Sequence, residues 1–191
     1  MKRSTDTFKL ALLGILSAIV YVLQFFVKIP LGTFTISVSL SVIVLAAVLY
    51  SYTGGAIIGG VSALAILLNG DAALFYSFNF ILTVLVVLIK GIASGLAAAA
   101  VFNLLKKINK YVAIIVASIA APIANTGIFL LGSITCFYKP IQAMAGGTNV
   151  ALFVIVSFIG FNFFFELIAN VVLAPIIYRL LKLVPSAQKR F

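Results

Sequence analysis

Histidine and tryptophan are both absent from this chain, and aspartate and glutamate together number three. A single cysteine, Cys136, excludes a disulfide within the chain. One thiol, no imidazole and three carboxylates over 191 residues leave almost nothing to ligate a metal. The same poverty removes the familiar catalytic sets. There is no Ser-His-Asp combination, no H-E-x-x-H, no Walker motif and no pair of acids, so an enzyme is not expected and a transporter that hydrolyses ATP by itself is excluded. No cofactor is implied. Charge is scarce altogether: 8% of residues are charged and 64% are hydrophobic. A soluble domain of this size needs far more charge to cover its surface. The chain is therefore read as an all-α integral membrane protein of one domain. No aromatic-basic pattern for RNA or DNA accompanies the net charge of +10, which is better read as topology.

What the sequence does contain is a series of apolar runs. They predict six transmembrane helices, at about 8–27, 38–50, 55–68, 78–105, 111–135 and 150–183. The first follows Lys2, Arg3 and Lys9 in the charge order of a signal peptide. A signal-peptide core is usually shorter and ends at an A-x-A-type site, so this run is expected to stay as the first helix. Lys28 and Pro30 end it. Hydroxyls at Thr33, Thr35, Ser37, Ser39 and Ser41 then alternate with apolar residues, a period of two that predicts an extended segment. The second helix starts at Thr35 or at Val38. Residues 51–55 read as a Gly-rich turn, Asn69-Gly70-Asp71 as another, and Pro122 as a kink within the fifth helix. The tail from Pro185 is polar and expected to fray. No sequence repeat is visible, which weighs against a stand-alone carrier.

Six crossings place both termini on one side. The N-terminal segment, the loop after the fourth helix and the C-terminal segment hold ten of the thirteen basic residues, so both termini are expected to be cytoplasmic. Lys28 and Lys139 fall on the opposite side, and Lys90 falls within the fourth helix. Most of the tyrosines lie near predicted helix ends, as interfacial rings should, with Tyr21 the exception.

The chemistry centres on 161–175, where Asn162, Glu166 and Asn170 recur at steps of four and so share one helical face. A carboxylate facing lipid costs roughly 2 to 10 kcal/mol, so this face is expected to look onto protein or a wet cavity, either as a ligand wall or as a polar seam between helices. Counting about 1.5 Å per residue from the nearest inner basic residue puts Lys90 roughly 24 Å deep, Asn125 and Gln24 about 22 Å and Glu166 roughly 20 Å. Four polar groups on four helices thus share one level, toward the outer side. Lys90 and Glu166 either pair and lock two helices together, or contact a polar ligand. Asn125 and Thr126 follow Pro122 and either satisfy the broken backbone or join the site. The rings of Phe161, Phe163, Phe164 and Phe165 circle their helix; some must face lipid, and one or two could flank a flat ligand. Small residues form separate faces: Ala11, Gly14 and Ala18 on the first helix, Gly55-x-x-x-Gly59 and Gly91-x-x-x-Gly95 on the third and fourth. The latter serve packing within the bundle; the first is a candidate intermolecular face.

Taken together, 30–50 (PLGTFTISVSLSVIVLAAVLY), 54–73 (GGAIIGGVSALAILLNGDAA), 88–98 (LIKGIASGLAA) and 122–132 (PIANTGIFLLG) resemble the substrate-binding S components of energy-coupling factor (ECF) vitamin transporters. The resemblance covers nearly the whole chain and implies an S-component-like bundle of six helices. It implies a site near the outer side, built mainly by the last three helices and capped by outer loops. It also implies a small-residue motif on the first helix that docks on the transmembrane coupling protein. Here that motif reads Gly14-Ile15-Leu16-Ser17-Ala18, with Gly in place of the first Ala. Two partner ATPases would supply the energy, and the S component would topple in the membrane to release its load. The absent Trp excludes a site built on indole stacking. Lys90 favours a ligand with a carboxylate or phosphate unless Glu166 neutralises it, whereas an unpaired Glu166 favours a cationic or amine-bearing one.

Overall fold

The computed structural model describes residues 2–31 and 34–183. Thr33, the hydroxyls of Thr35 and Ser37, the ring of Phe161 and the tail from Pro185 lie outside the described residues. Helix α1 (Lys2–Phe26) turns Leu13, Leu16, Val20 and Gln24 inward, at steps of three and four. Its opposite side leaves Ala11, Gly14 and Ala18 exposed. Strands β1 (Lys28–Leu31) and β2 (Phe34–Ser37) form an antiparallel hairpin, with Leu31 opposite Phe34 and Lys28 opposite Ser37. The extended segment read from the hydroxyl alternation thus ends early, and the next helix begins at Ser39.

Helix α2 (Ser39–Leu68) is continuous in hydrogen bonding but breaks sharply at Ser51, where φ is 62° and ψ is −146°. The Ser39 and Ser62 hydroxyls lie 3.4 Å apart. In a straight helix they would stand roughly 34 Å apart. The helix therefore doubles back at Ser51 into two antiparallel arms. The predicted turn at 51–55 shrinks to that one residue, and Gly54 and Gly55 already belong to the second arm. Their lack of a side chain serves close contact instead. A Cβ at Gly54 would strike the Ala46 carbonyl, and one at Gly55 would strike the Gly95 carbonyl of the facing helix.

Asn109 and Asn79 cap the next two long helices, each accepting backbone N–H groups of the first turn with its side-chain oxygen. These are α4 (Phe80–Leu105), which follows the short α3 (Ala73–Phe78), and α5 (Lys110–Cys136), which carries Pro122 in its interior. Gly55 and Gly59 of α2 meet Gly95 and Gly91 of α4 backbone to backbone, which antiparallel packing of two G-x-x-x-G faces requires.

Helix α6 (Tyr138–Ala145) forms between the predicted fifth and last helices, and the predicted last helix divides. Its first part is α7 (Val150–Phe153), which continues as a π-helical turn over Val154–Ile159; α6 and this stretch meet at 80°. Gly160, with φ of 38°, separates the π turn from α8 (Gly160–Leu183). That backbone conformation is open to glycine and strained for other residues. Among the described residues five helices are long and apolar enough to cross a membrane, or six when the bent pair counts as one span. Their number, length and apolarity fit a multi-pass membrane protein.

Contacts fix the direction of each pass. Lys9 sits 5.5 Å from the centre of the Tyr50 ring, Asn103 donates to the Ser51 hydroxyl at 2.7 Å, and the Tyr111 and Tyr178 rings lie 5.3 Å apart. The start of α1, the bend of α2, the end of α4, the start of α5 and the end of α8 therefore share one end of the bundle. The chain runs along the bundle six times: α1, both arms of α2, α4, α5 and α8. Both described chain ends leave from the same end. Buried residues of α1, α2, α4, α5 and α8 form the main core, and Phe75, Val86, Phe137, Ile141, Val150, Val154 and Phe158 form a second cluster toward the opposite end.

Candidate functional site

At the end of the bundle away from the termini, the helices part around a cavity of about 350 Å³. That is within the range of roughly 300–1,000 Å³ common to small-molecule sites. Its lining draws on every long element. Helix α1 contributes Gln24, α2 contributes Ser39 and Ser62, and α4 contributes Thr83 and Lys90. Helix α5 adds Asn125, Thr126 and Phe129, and α8 adds Asn162, Phe163 and Glu166. Asp71, from the turn after α2, completes the polar side, and Phe75, Phe137 and Phe158 close the apolar one.

Local structure explains these placements. Asn162 and Glu166 stand four residues apart on α8 and so project to one face. Gly160 breaks the helix between the π turn and α8, and Phe158 and Ile159 reach the cavity from one side of the break and Phe163 from the other. π-helical turns are frequent at functional sites. Of the neighbouring rings, Phe164 and Phe165 are exposed on the outside of the bundle, where the lipid would be.

Gln24, 3% exposed, anchors a polar corner. Its Nε2 donates to Asp71 Oδ2 at 3.1 Å, and its Oε1 accepts from the Ser39 hydroxyl at 2.9 Å. Asn69 Nδ2 also donates to Asp71 Oδ2, at 2.9 Å, and its Oδ1 accepts the Asp71 N–H at 2.9 Å. The turn read at 69–71 is thus real, but it also delivers a carboxylate to the cavity wall. The Thr83 hydroxyl is taken up by the carbonyls of Phe75 and Asn79. Lys90 places its ammonium 5.2 Å from the centre of the Phe129 ring, within cation–π range. Asn162 Oδ1 is buried with no hydrogen-bond partner among the described residues.

The structure brings together Gln24, Lys90, Asn125, Thr126, Asn162 and Glu166 of the residues singled out from sequence. It does not bring Asn170. That amide is fully buried one turn beyond Glu166, outside the cavity lining. Its Oδ1 accepts from the Ser41 hydroxyl at 2.9 Å and its Nδ2 donates to the Glu166 carbonyl at 2.8 Å. The expected polar face therefore divides into a cavity-lining part and a seam between helices. Asp71, Ser39, Ser62 and the aromatic wall were missed. Asp71 carried a signal, as one of only three acids in the chain. The phenylalanines carried none, since nothing distinguishes a ring on a cavity wall from a ring in a core.

No curated protein and no solved structure matches the chain. Residues 8–178 match the family described as ECF transporter, substrate-specific component. The match runs from the first exposed turn of α1 to the interfacial tyrosine near the end of α8 and takes in all six passes and the whole cavity lining; the chain belongs to the family of substrate-specific components of ECF transporters.

Proposed function

We propose that this chain is the high-affinity binding subunit for a vitamin or related micronutrient, held in the cavity between α1, α2, α4, α5 and α8. Membership of the family makes it a substrate-binding subunit of an ECF importer. The observation that carries the finer reading is the convergence of polar side chains from five elements, Lys90 and Glu166 among them, on one hollow with an aromatic wall. A few placed polar groups in an otherwise apolar pocket are what orient and select a small ligand. The competing reading, in which Lys90 and Glu166 only lock two helices together, leaves the other polar and aromatic residues of this lining without a role.

Orientation follows from charge. Lys106, Lys107, Lys110, Arg179 and Lys182 lie toward the end that holds the chain termini, and the cavity lies toward the other. By the positive-inside rule the termini are cytoplasmic and the cavity opens toward the outer face of the cell membrane. Energy comes from a transmembrane coupling protein and two ATPases. The exposed Ala11, Gly14 and Ala18 of α1 form the contact with the coupling protein.

Mass spectrometry of the detergent-purified protein tests this. A carried-over vitamin-like molecule, or stabilisation by a member of a vitamin panel without ATP, is the expected result. Absence of both, together with failure to recover two ATPases with the protein from its native membrane, overturns it.

A further inference from the structure

We infer that the substrate is recognised through an uncharged donor–acceptor edge, a carboxamide or lactam group on a flat ring, and that Asn125, Thr126 and Asn162 read that edge. This rests on the binding-subunit reading above and names the ligand chemistry for it. The polar side chains of the lining fall into two groups. On α1, α2 and α4 the hydrogen-bonding groups are already engaged: Gln24 with Asp71 and Ser39, and Thr83 with the carbonyls of Phe75 and Asn79. A ligand that takes one of these exchanges one bond for another. On α5 and α8, Asn125, Thr126 and Asn162 line the same hollow, half-buried, and among the described residues their side chains make no hydrogen bond. Asn162 is the sharpest case, since its Oδ1 is buried as well as unpartnered. A buried acceptor without a donor costs free energy, and a ligand N–H that reaches it recovers that cost.

The residue types decide what that edge must carry. An asparagine offers a carbonyl acceptor and an amide donor, and a threonine hydroxyl does both. The terminal torsion of an asparagine is soft, so its amide can turn either atom to the hollow. A carboxylate supplies acceptors only and leaves the asparagine oxygens unsatisfied. An ammonium supplies donors only and leaves the asparagine N–H groups unsatisfied. A carboxamide or lactam supplies both, in the same planar arrangement as the asparagine amide. Each free amide also has a ring beside it. Phe129 follows Asn125 by four residues on α5 and so shares its face, Phe163 adjoins Asn162 on α8, and both rings line the hollow. Helices α5 and α8 pack directly on each other, which brings the two amide-and-ring sets onto neighbouring walls. Phe129 meets Phe75 edge-on, with ring centroids 5.3 Å apart, and Phe75 lies 5.3 Å from Phe137. A flat ring lies against such edges and faces while its polar edge turns to the amides.

Three probes that share a ring and differ in their polar edge test the inference: 2-naphthamide, 2-acetonaphthone, in which a methyl group replaces the amide nitrogen, and 2-naphthoate. Each is titrated calorimetrically into the full-length detergent-purified protein, with protein-free micelles as the blank. The amide is expected to bind at least about tenfold more tightly than the ketone or the carboxylate, the scale of one buried polar group left unpaired. Asn125→Leu and Asn162→Leu keep the size of the side chain and remove its hydrogen bonds. Each should cut the advantage of the amide over the ketone to less than about threefold, while the ketone binds within about twofold of wild type. Neither change breaks a hydrogen bond within the described protein, so the melting temperature should not fall. A lower melting temperature with equal weakening of amide and ketone would mark a packing role and overturn the assignment of that residue. Should both variants fail to fold, Thr126→Val repeats the test by exchanging only a hydroxyl for a methyl group, and an undiminished preference for the amide there overturns the reading set. The comparison of probes on the wild-type protein depends on no variant. If the ketone binds as tightly as the amide, or the carboxylate binds best, the inference fails and the binding-subunit reading stands. If none of the three binds, the inference fails as well, and the mass-spectrometric search for a carried-over molecule decides the binding-subunit reading on its own.

Discussion

Ser41 donates its hydroxyl to Asn170 across 2.9 Å, tying the first arm of α2 to α8 just beyond the cavity. The same Asn170 amide donates to the backbone carbonyl of Glu166, whose side chain lines the cavity. One helical face therefore does two things within a single turn: it offers Asn162 and Glu166 to the hollow, then closes it with a satisfied polar staple. Buried polar groups are tolerated when they find hydrogen-bond partners, and in this staple the Ser41 hydroxyl and both polar atoms of the Asn170 amide each have one.

Asn170→Ala is accordingly a stability variant. It leaves the buried Ser41 hydroxyl without this partner, a cost of about 1–3 kcal/mol. The melting temperature of the ligand-free protein should fall, and the affinity for a bound ligand should change by less than about threefold. Thermal unfolding in detergent, with and without ligand, checks this. A variant with unchanged melting and a tenfold weaker ligand would return Asn170 to the binding wall.

The glycine contacts between α2 and α4 give a sharper expectation. A methyl group added at Gly55 or Gly95 meets backbone of the opposite helix, which has no side chain to swing aside. Gly55→Ala and Gly95→Ala should each destabilise the protein by about 1–3 kcal/mol and reduce the monodisperse fraction on size exclusion. Gly14→Ala is the control. A Cβ there meets nothing within 4 Å, so folding of the isolated subunit should be unchanged or slightly improved.

These glycines also show what the sequence could and could not tell. Small residues spaced by four identified the two close-packing faces, because spacing alone sets the face of a helix. Gly54-Gly55 was read as a turn, since glycine permits a turn and a close contact alike and only the partner decides. The chain reverses at Ser51, the first residue of the turn read at 51–55. The break at Gly160 was hidden inside a long apolar run. Depth counting along each helix brought Gln24, Lys90, Asn125 and Glu166 to one level because helix rise is constant. It could not reach Asp71, which lies in a turn. The steps of four put Asn170 on the face of Asn162 and Glu166, one turn beyond the cavity.

Lys90→Gln separates the charge of the cavity from its shape. Removing the ammonium leaves Asp71 and Glu166 as the charged groups of the described lining. A cationic ring probe should then bind as tightly as to wild type or severalfold more tightly, and an anionic one more weakly. Calorimetric titration of 2-naphthylmethylamine and 2-naphthoate into this variant and into wild type reads both effects. A loss of cation affinity would mean that Lys90 contacts the ligand through a hydrogen bond that outweighs its charge.

The face of α1 that carries Ala11, Gly14 and Ala18, proposed as the contact with the coupling protein, allows binding to be tested apart from transport. All three are exposed, on the side of α1 away from Leu13, Leu16 and Val20, which pack into the core. Small residues on one helix face let a second helix approach closely, and a larger side chain there holds it off. Ala18→Leu adds bulk to that face without disturbing the packed one, so the melting temperature and ligand affinity of the isolated subunit should stay within error of wild type. Uptake of the cognate ligand by cells that contain the complete transporter should fall at least about tenfold, and the two ATPases should no longer be recovered with the subunit. Unimpaired uptake would show that the coupling protein docks elsewhere, because a leucine in the middle of a close helix contact has nowhere to go.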